Sequence, residues 1–74
     1  MDEETLQIRL GTVIRDRRMA LGLSQEAFAD AIRMHRAYYS KIERGERNLT
    51  LQTISRVARG LGVPGWQLLK DSRI

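Results

Sequence analysis

The 74-residue chain has no cysteine, one histidine and one proline. Without cysteine it forms no disulfide and no thiolate metal site, and one histidine cannot build a zinc site. No apolar run approaches the ~20 residues that a membrane-spanning helix needs. The first residues, MDEE, are acidic and lack the apolar centre of a signal peptide. No internal repeat, low-complexity segment or linker interrupts the chain, and no window favours a strand. Paired carboxylates flanking a predictable cleft are missing too, so an enzyme is not expected, nor is any cofactor, metal or membrane partner. What remains is one all-α domain over residues 1–74. A core this small rarely supplies more than about 3–5 kcal/mol, which makes dimerisation a natural supplement.

Positive charge is abundant. Thirteen Lys and Arg face nine Asp and Glu, for a net charge of +4 and an isoelectric point near 10.3. Three of the acids, Asp2, Glu3 and Glu4, sit at the extreme N-terminus. A basic chain favours a polyanionic partner. The total alone is also compatible with a solvated surface, so the placement of the charges decides.

That placement is clearest in Ser24–Arg44, SQEAFADAIRMHRAYYSKIER. Ser24 is a good N-cap, and Ala27, Phe28 and Ala31 follow on one helix face, predicting a helix over about 25–31. The pattern breaks at Ile32-Arg33-Met34. A second helix runs from about Arg36 to Arg44, with His35 as N-cap or backbone neighbour. At roughly 100° per residue, Arg36, Ala37, Ser40, Lys41 and Arg44 fall within about 140°. Tyr39 and Ile42 lie opposite. A short helix with an apolar back and a basic, hydrogen-bonding front suits a groove lined with acceptors, which is helix-turn-helix recognition of double-stranded DNA.

The other helices are read more simply. A first helix over about 3–21 carries Leu6, Leu10, Val13 or Ile14, and Leu21 as its apolar stripe, with the early acids at its positive end and Gly22 as C-cap. Gly45 ends the third helix. Thr50 caps a fourth, about 51–60, with Ile54, Val57, Ala58 and Leu61 on one face. Pro64 begins a fifth, about 64–70. Trp66, Leu68, Leu69 and Ile74 cannot all face inward from so short a helix, so part of that set is expected to form an exposed patch and a dimer interface.

The pieces LGLSQE (21–26), Arg36-x-Tyr38, SKIERGER (40–47) and ARGLGV (58–63) together resemble the Xre/Cro-type helix-turn-helix family, ungapped from about Leu10 to Leu69. The run ERGERNLT (43–50) and the short length narrow the resemblance to controller proteins of restriction–modification systems. The resemblance implies a compact five-helix, lambda-repressor-like domain. It implies a backbone contact for Gln25, a core position for Tyr39, and a loop carrying Arg44, Arg47 and Asn48 along the DNA backbone. It pairs Arg18 with Glu43 in a partly buried salt bridge between the first and third helices, and it dimerises through the C-terminal end. The sequence departs from the family at Arg33, where relatives usually place Gly in a left-handed turn. Either the turn is reshaped or Arg33 accepts the strain.

On the front itself, Arg36 has the fork that pairs with guanine O6 and N7, or it holds a phosphate. Ala37 offers a methyl to thymine or allows close approach. Ser40 and Lys41 lie one turn on, and Lys41 suits guanine and phosphate equally. Tyr38 borders the front, its hydroxyl within reach of a phosphate or its ring simply packed. The leading expectation is a sequence-specific transcriptional regulator, cytoplasmic in a bacterium or phage host, acting as a homodimer on a pseudo-palindrome. The alternative is the antitoxin of a toxin–antitoxin pair, a protein-interaction component that also binds DNA. Such proteins usually carry an extra toxin-binding segment, for which a chain ending at Ile74 leaves little room.

Overall fold

The computed structural model describes residues 5–74. Five helices follow in order: α1 (Leu6–Ala20), α2 (Gln25–Ala31), α3 (Arg36–Glu43), α4 (Leu51–Leu61) and α5 (Gly65–Asp71). Three of them start on a hydroxyl cap. Thr5 accepts the Ile8 N–H at 3.1 Å, Ser24 the Ala27 N–H at 3.0 Å and Thr50 the Thr53 N–H at 3.1 Å. Each such cap is worth about 1 kcal/mol. The predicted start of α1 at Glu3, with its early acids, lies outside the described residues. His35 occupies the N-cap position of α3 through its backbone alone, and Pro64 that of α5.

All five helices feed one core. Leu10 and Ile14 enter from α1, Phe28, Ala29 and Ile32 from α2 and its end, and Tyr39 and Ile42 from α3. Val57, Ala58 and Leu61 come from α4 and Leu68 from α5. The rings of Phe28 and Tyr39 meet at 5.2 Å, tilted by 50°. Some expected faces shift. Phe28, Ala29 and Ile32 span about 100° of α2, and Ala27 and Ala31 fall beyond one edge of that arc, in solvent. Leu6 and Leu21, at the two ends of the α1 stripe, are each 51% exposed because the neighbouring helices cover only its middle.

Leu68 is a correction. It was expected at a dimer interface, but it is fully buried, since the short α5 has one inward position and Leu68 fills it. Nothing of its side chain is left for a second subunit.

Two glycines set how closely α1 and α3 pack. Gly11 sits mid-helix in α1 where it crosses the end of α3, and the two backbones touch there. Gly45 follows α3 with φ +74°, and a Cβ on it would stand 2.6 Å from the Ile8 Cα. Arg33, in the α2–α3 turn, takes φ +57°. It therefore accepts the left-handed conformation that glycine adopts freely, at a cost of about 1 kcal/mol.

Candidate nucleic-acid interface

The third helix is held from behind by one carboxylate. Glu43 Oε2 accepts from Arg18 Nε at 2.7 Å and from the Tyr39 hydroxyl. Its Oε1 accepts from Arg18 Nη2 at 3.1 Å and Gln25 Nε2 at 2.8 Å. Arg18 Nη1 donates to the Leu23 carbonyl at 2.7 Å. The Glu43 side chain is 2% exposed and that of Arg18 10%, so the pair is largely withdrawn from solvent; Glu43 accepts four hydrogen bonds and Arg18 donates three. Burial pushes the Glu43 carboxyl up, but the hydrogen bonds from Arg18, Tyr39 and Gln25 outweigh it and hold its pKa below the ordinary value. The hydrogen bond to Glu43 raises the Arg18 pKa against the opposing effect of burial. Burial, then the hydrogen bond to the Glu43 carboxylate, pushes the Tyr39 hydroxyl far above its ordinary range. The expected Arg18–Glu43 bridge is thus present. It is larger than expected, because Gln25 and Tyr39 join it and tie α1, α2 and α3 together.

With Tyr39, Ile42 and Glu43 buried, α3 turns Arg36, Ala37 and Lys41 to solvent, and Ser40 is half-exposed. Arg36 Nη1 lies 4.0 Å from a Glu26 carboxylate oxygen. Arg44, the residue that caps α3, donates through Nη1 to Ser40 Oγ at 2.8 Å. Its Nε and Nη2 fork onto Glu46 at 2.9 and 3.3 Å. That fork holds a carboxylate in the geometry that also suits a phosphate. The Arg47 guanidinium lies over the Tyr38 ring, 5.0 Å from its centroid. Gln7 donates to Asn48, tying the loop to α1.

The candidate residues therefore fall into one surface and one lock. Arg36, Ala37, Ser40, Lys41 and Arg44 share the front of α3 or its end, and Tyr38, Arg47 and Asn48 sit beside it. Gln25 stands apart: its amide nitrogen is already engaged by Glu43, so one N–H and Oε1 remain for any other partner. Glu26 and Glu46, which contact two of the front arginines, were not anticipated. A carboxylate two or ten residues away in sequence gives no sign of which cation it meets.

Elsewhere, Trp66 is 61% exposed and Ile74 53%. Leu69 and Ile74 line an open apolar groove of about 260 Å³ together with Leu6, Leu10, Leu51 and Ile54. Leu6 and Leu51 were not expected there, and Trp66 lies outside it. Among the described residues, no group of three or more His, Cys, Asp or Glu is placed to hold a metal ion. Among the described residues, no helix is long and apolar enough to cross a membrane.

A sequence profile of the helix-turn-helix family matches residues 14–65. Control protein C.MunI of a Mycoplasma species is 39% identical over 67 residues, 89% of this chain and 90% of that protein. The crystal structure of the clp gene regulator ClgR from C. glutamicum superposes with a TM-score of 0.92 at 26% identity, over 97% of this chain and 92% of that one. The restriction-modification controller protein C.Esp1396I, as a tetramer in complex with its natural 35 base-pair operator, superposes at 0.81 with 32% identity, over 97% of this chain and 100% of that one.

Proposed function

The chain belongs to the helix-turn-helix family, and from that premise we propose that it is a sequence-specific, DNA-binding transcriptional regulator, the controller of a restriction–modification system, acting as a homodimer on a pseudo-palindromic operator. The observation that carries this is the two-sided α3: three buried residues, Tyr39, Ile42 and Glu43, fix it, and a row of exposed cations and small polar groups faces away. Such a helix enters a major groove with its front on the base edges. Its residues then divide the work. Arg36 reads a base, with Ala37, Ser40 and Lys41 completing the contact surface. Gln25, Tyr38, Arg44, Arg47 and Asn48 meet the sugar–phosphate backbone and set register.

Residues 1–74 act as one DNA-binding domain in the bacterial or phage-host cytoplasm. The apolar groove beside Leu69 and Ile74 is the surface on which the second subunit sits, and a two-fold pair sets two α3 helices about one DNA turn apart, ~34 Å. The control protein C.MunI and the operator-bound C.Esp1396I tetramer support this reading over an antitoxin role.

The test is duplex binding followed by fluorescence anisotropy across a salt series. Each neutralised phosphate contributes a log–log slope of about −0.9, so a dimer with several contacts per subunit gives a steep line. A slope near zero would refute the nucleic-acid reading. Selection of bound fragments from genomic DNA then identifies the operator.

A further inference from the structure

Each of the five helices is followed within two residues by one with positive φ. Three are the glycines Gly22 (+75°), Gly45 (+74°) and Gly62 (+76°), and two are Arg33 (+57°) and Arg73 (+62°). A left-handed residue at this position suits glycine and disfavours any side chain. At Arg33 the geometry is imposed from both sides. The Arg33 N–H bonds the Asp30 carbonyl at 3.1 Å and the Met34 N–H bonds the Ala29 carbonyl at 2.8 Å. Ile32 is buried and Met34 packs on the core. The turn is held around its arginine by these bonds and contacts, so the strain stays in the native state, and strain of this kind clusters at functional sites.

The Arg33 side chain is exposed and lines a shallow groove with Glu26, Asp30, Met34, His35 and Arg36. This groove flanks the start of α3. A Glu26 carboxylate oxygen lies 4.0 Å from Arg36 Nη1, and among the described residues Arg33 has no ion-pair partner. Asp30 and Glu26 would repel a phosphate approaching that flank, and Arg33 is the cation there that neither of them engages.

We propose that Arg33 is a further DNA contact, a phosphate ligand at the leading end of the recognition helix, where it holds the strand bordering the groove that Arg36 enters. The inference rests on the DNA-binding reading above. Because a phosphate contact carries no sequence information, it acts on specific and non-specific DNA alike.

The experiment compares wild type, Arg33→Gly and Arg33→Lys on a mixed-sequence duplex several turns long, with salt-dependent anisotropy and thermal melts. Arg33→Gly relieves the strain and removes the charge. Its melting temperature should rise by about 4–8 °C. Its log–log salt slope should be shallower by about 0.9 per subunit, which is about an eightfold loss of affinity per subunit at 0.1 M relative to 1 M salt. Arg33→Lys should keep the wild-type slope. A steep wild-type slope that Arg33→Gly leaves unchanged overturns this inference and spares the DNA-binding reading. Equal losses in the Gly and Lys variants, or no gain in melting temperature for Arg33→Gly, also overturn it. A wild-type slope near zero overturns both.

Discussion

Gly11 and Glu43 meet backbone to backbone: a Cβ added to Gly11 would stand 2.5 Å from the Glu43 carbonyl oxygen. The crossing of α1 over α3 therefore depends on an absent side chain, and it sets the depth at which α3 is held.

Gly11→Ala puts two effects in opposition. Replacing a mid-helix glycine by alanine favours the helix by about 1 kcal/mol. The new methyl meets backbone carbonyls of Ile42 and Glu43, which cannot swing aside as a side chain would. Overpacking of this kind costs about 1–3 kcal/mol or more. The variant should be less stable than wild type in urea, and one that is more stable would mean the helices separate freely at this crossing.

The lock at Glu43 should show strong coupling. Removing one partner leaves a desolvated charge, at about 3–5 kcal/mol, whereas replacing both Arg18 and Glu43 by apolar residues of similar volume is far less costly. Arg18→Met and Glu43→Leu should each lower the melting temperature more than the double variant does. Additive losses in this double-mutant cycle would mean that the pair contributes nothing as a pair.

The same residues define the pH range. Glu43 is held below its ordinary pKa of about 4.5 in the folded chain, so the unfolded chain binds more protons at acid pH. Its contribution is present above that value and is lost as pH falls through the lowered one. Tyr39 is shifted the other way, so its contribution is present below about pH 10 and is lost as pH rises above it, where the unfolded phenol ionises first. Melts across pH should decline on both flanks. Tyr39→Phe should flatten the alkaline flank while costing about 1.5–3 kcal/mol at neutral pH for the lost bond to a charged acceptor. An alkaline flank identical to wild type would assign the loss to other groups.

Arg36→Ala should weaken operator binding by about 1–3 kcal/mol and relax preference at one base per half-site. Gln25→Ala should weaken binding evenly across sequences, with a small loss of stability because Glu43 loses one donor. Binding-site selection on both variants checks the division of roles. Altered preference in Gln25→Ala, with none in Arg36→Ala, would reverse it.

The apolar groove should be the dimer contact. Sedimentation at micromolar concentration should give roughly twice the 8.5 kDa monomer. Leu51→Glu combined with Ile74→Asp should yield a folded monomer, because both side chains are exposed. Leu68→Ala should instead lower stability by about 2–5 kcal/mol as a core deletion. A wild-type chain that remains monomeric at hundreds of micromolar would exclude the contact.

Most of the architecture was legible from local rules. The caps Ser24 and Thr50, the break after Gly45 and the two-sided pattern of α3 depend on neighbours within one turn, and α2 begins and ends where that pattern predicts. The Arg18–Glu43 pair was accessible only through resemblance, since a separation of 25 residues carries no local signal. Tertiary packing decided the rest. It placed Leu68 inside and Leu6 and Leu51 on the groove, because a periodic apolar stripe does not say which of its members a neighbouring helix reaches. It brought Gln25 onto Glu43 and Glu46 onto Arg44, and the sequence names those polar groups without their partners. At Arg33 the chain alone left two outcomes open, a reshaped turn or a strained arginine. Hydrogen bonds from both sides of the turn and the burial of Ile32 chose the strained one.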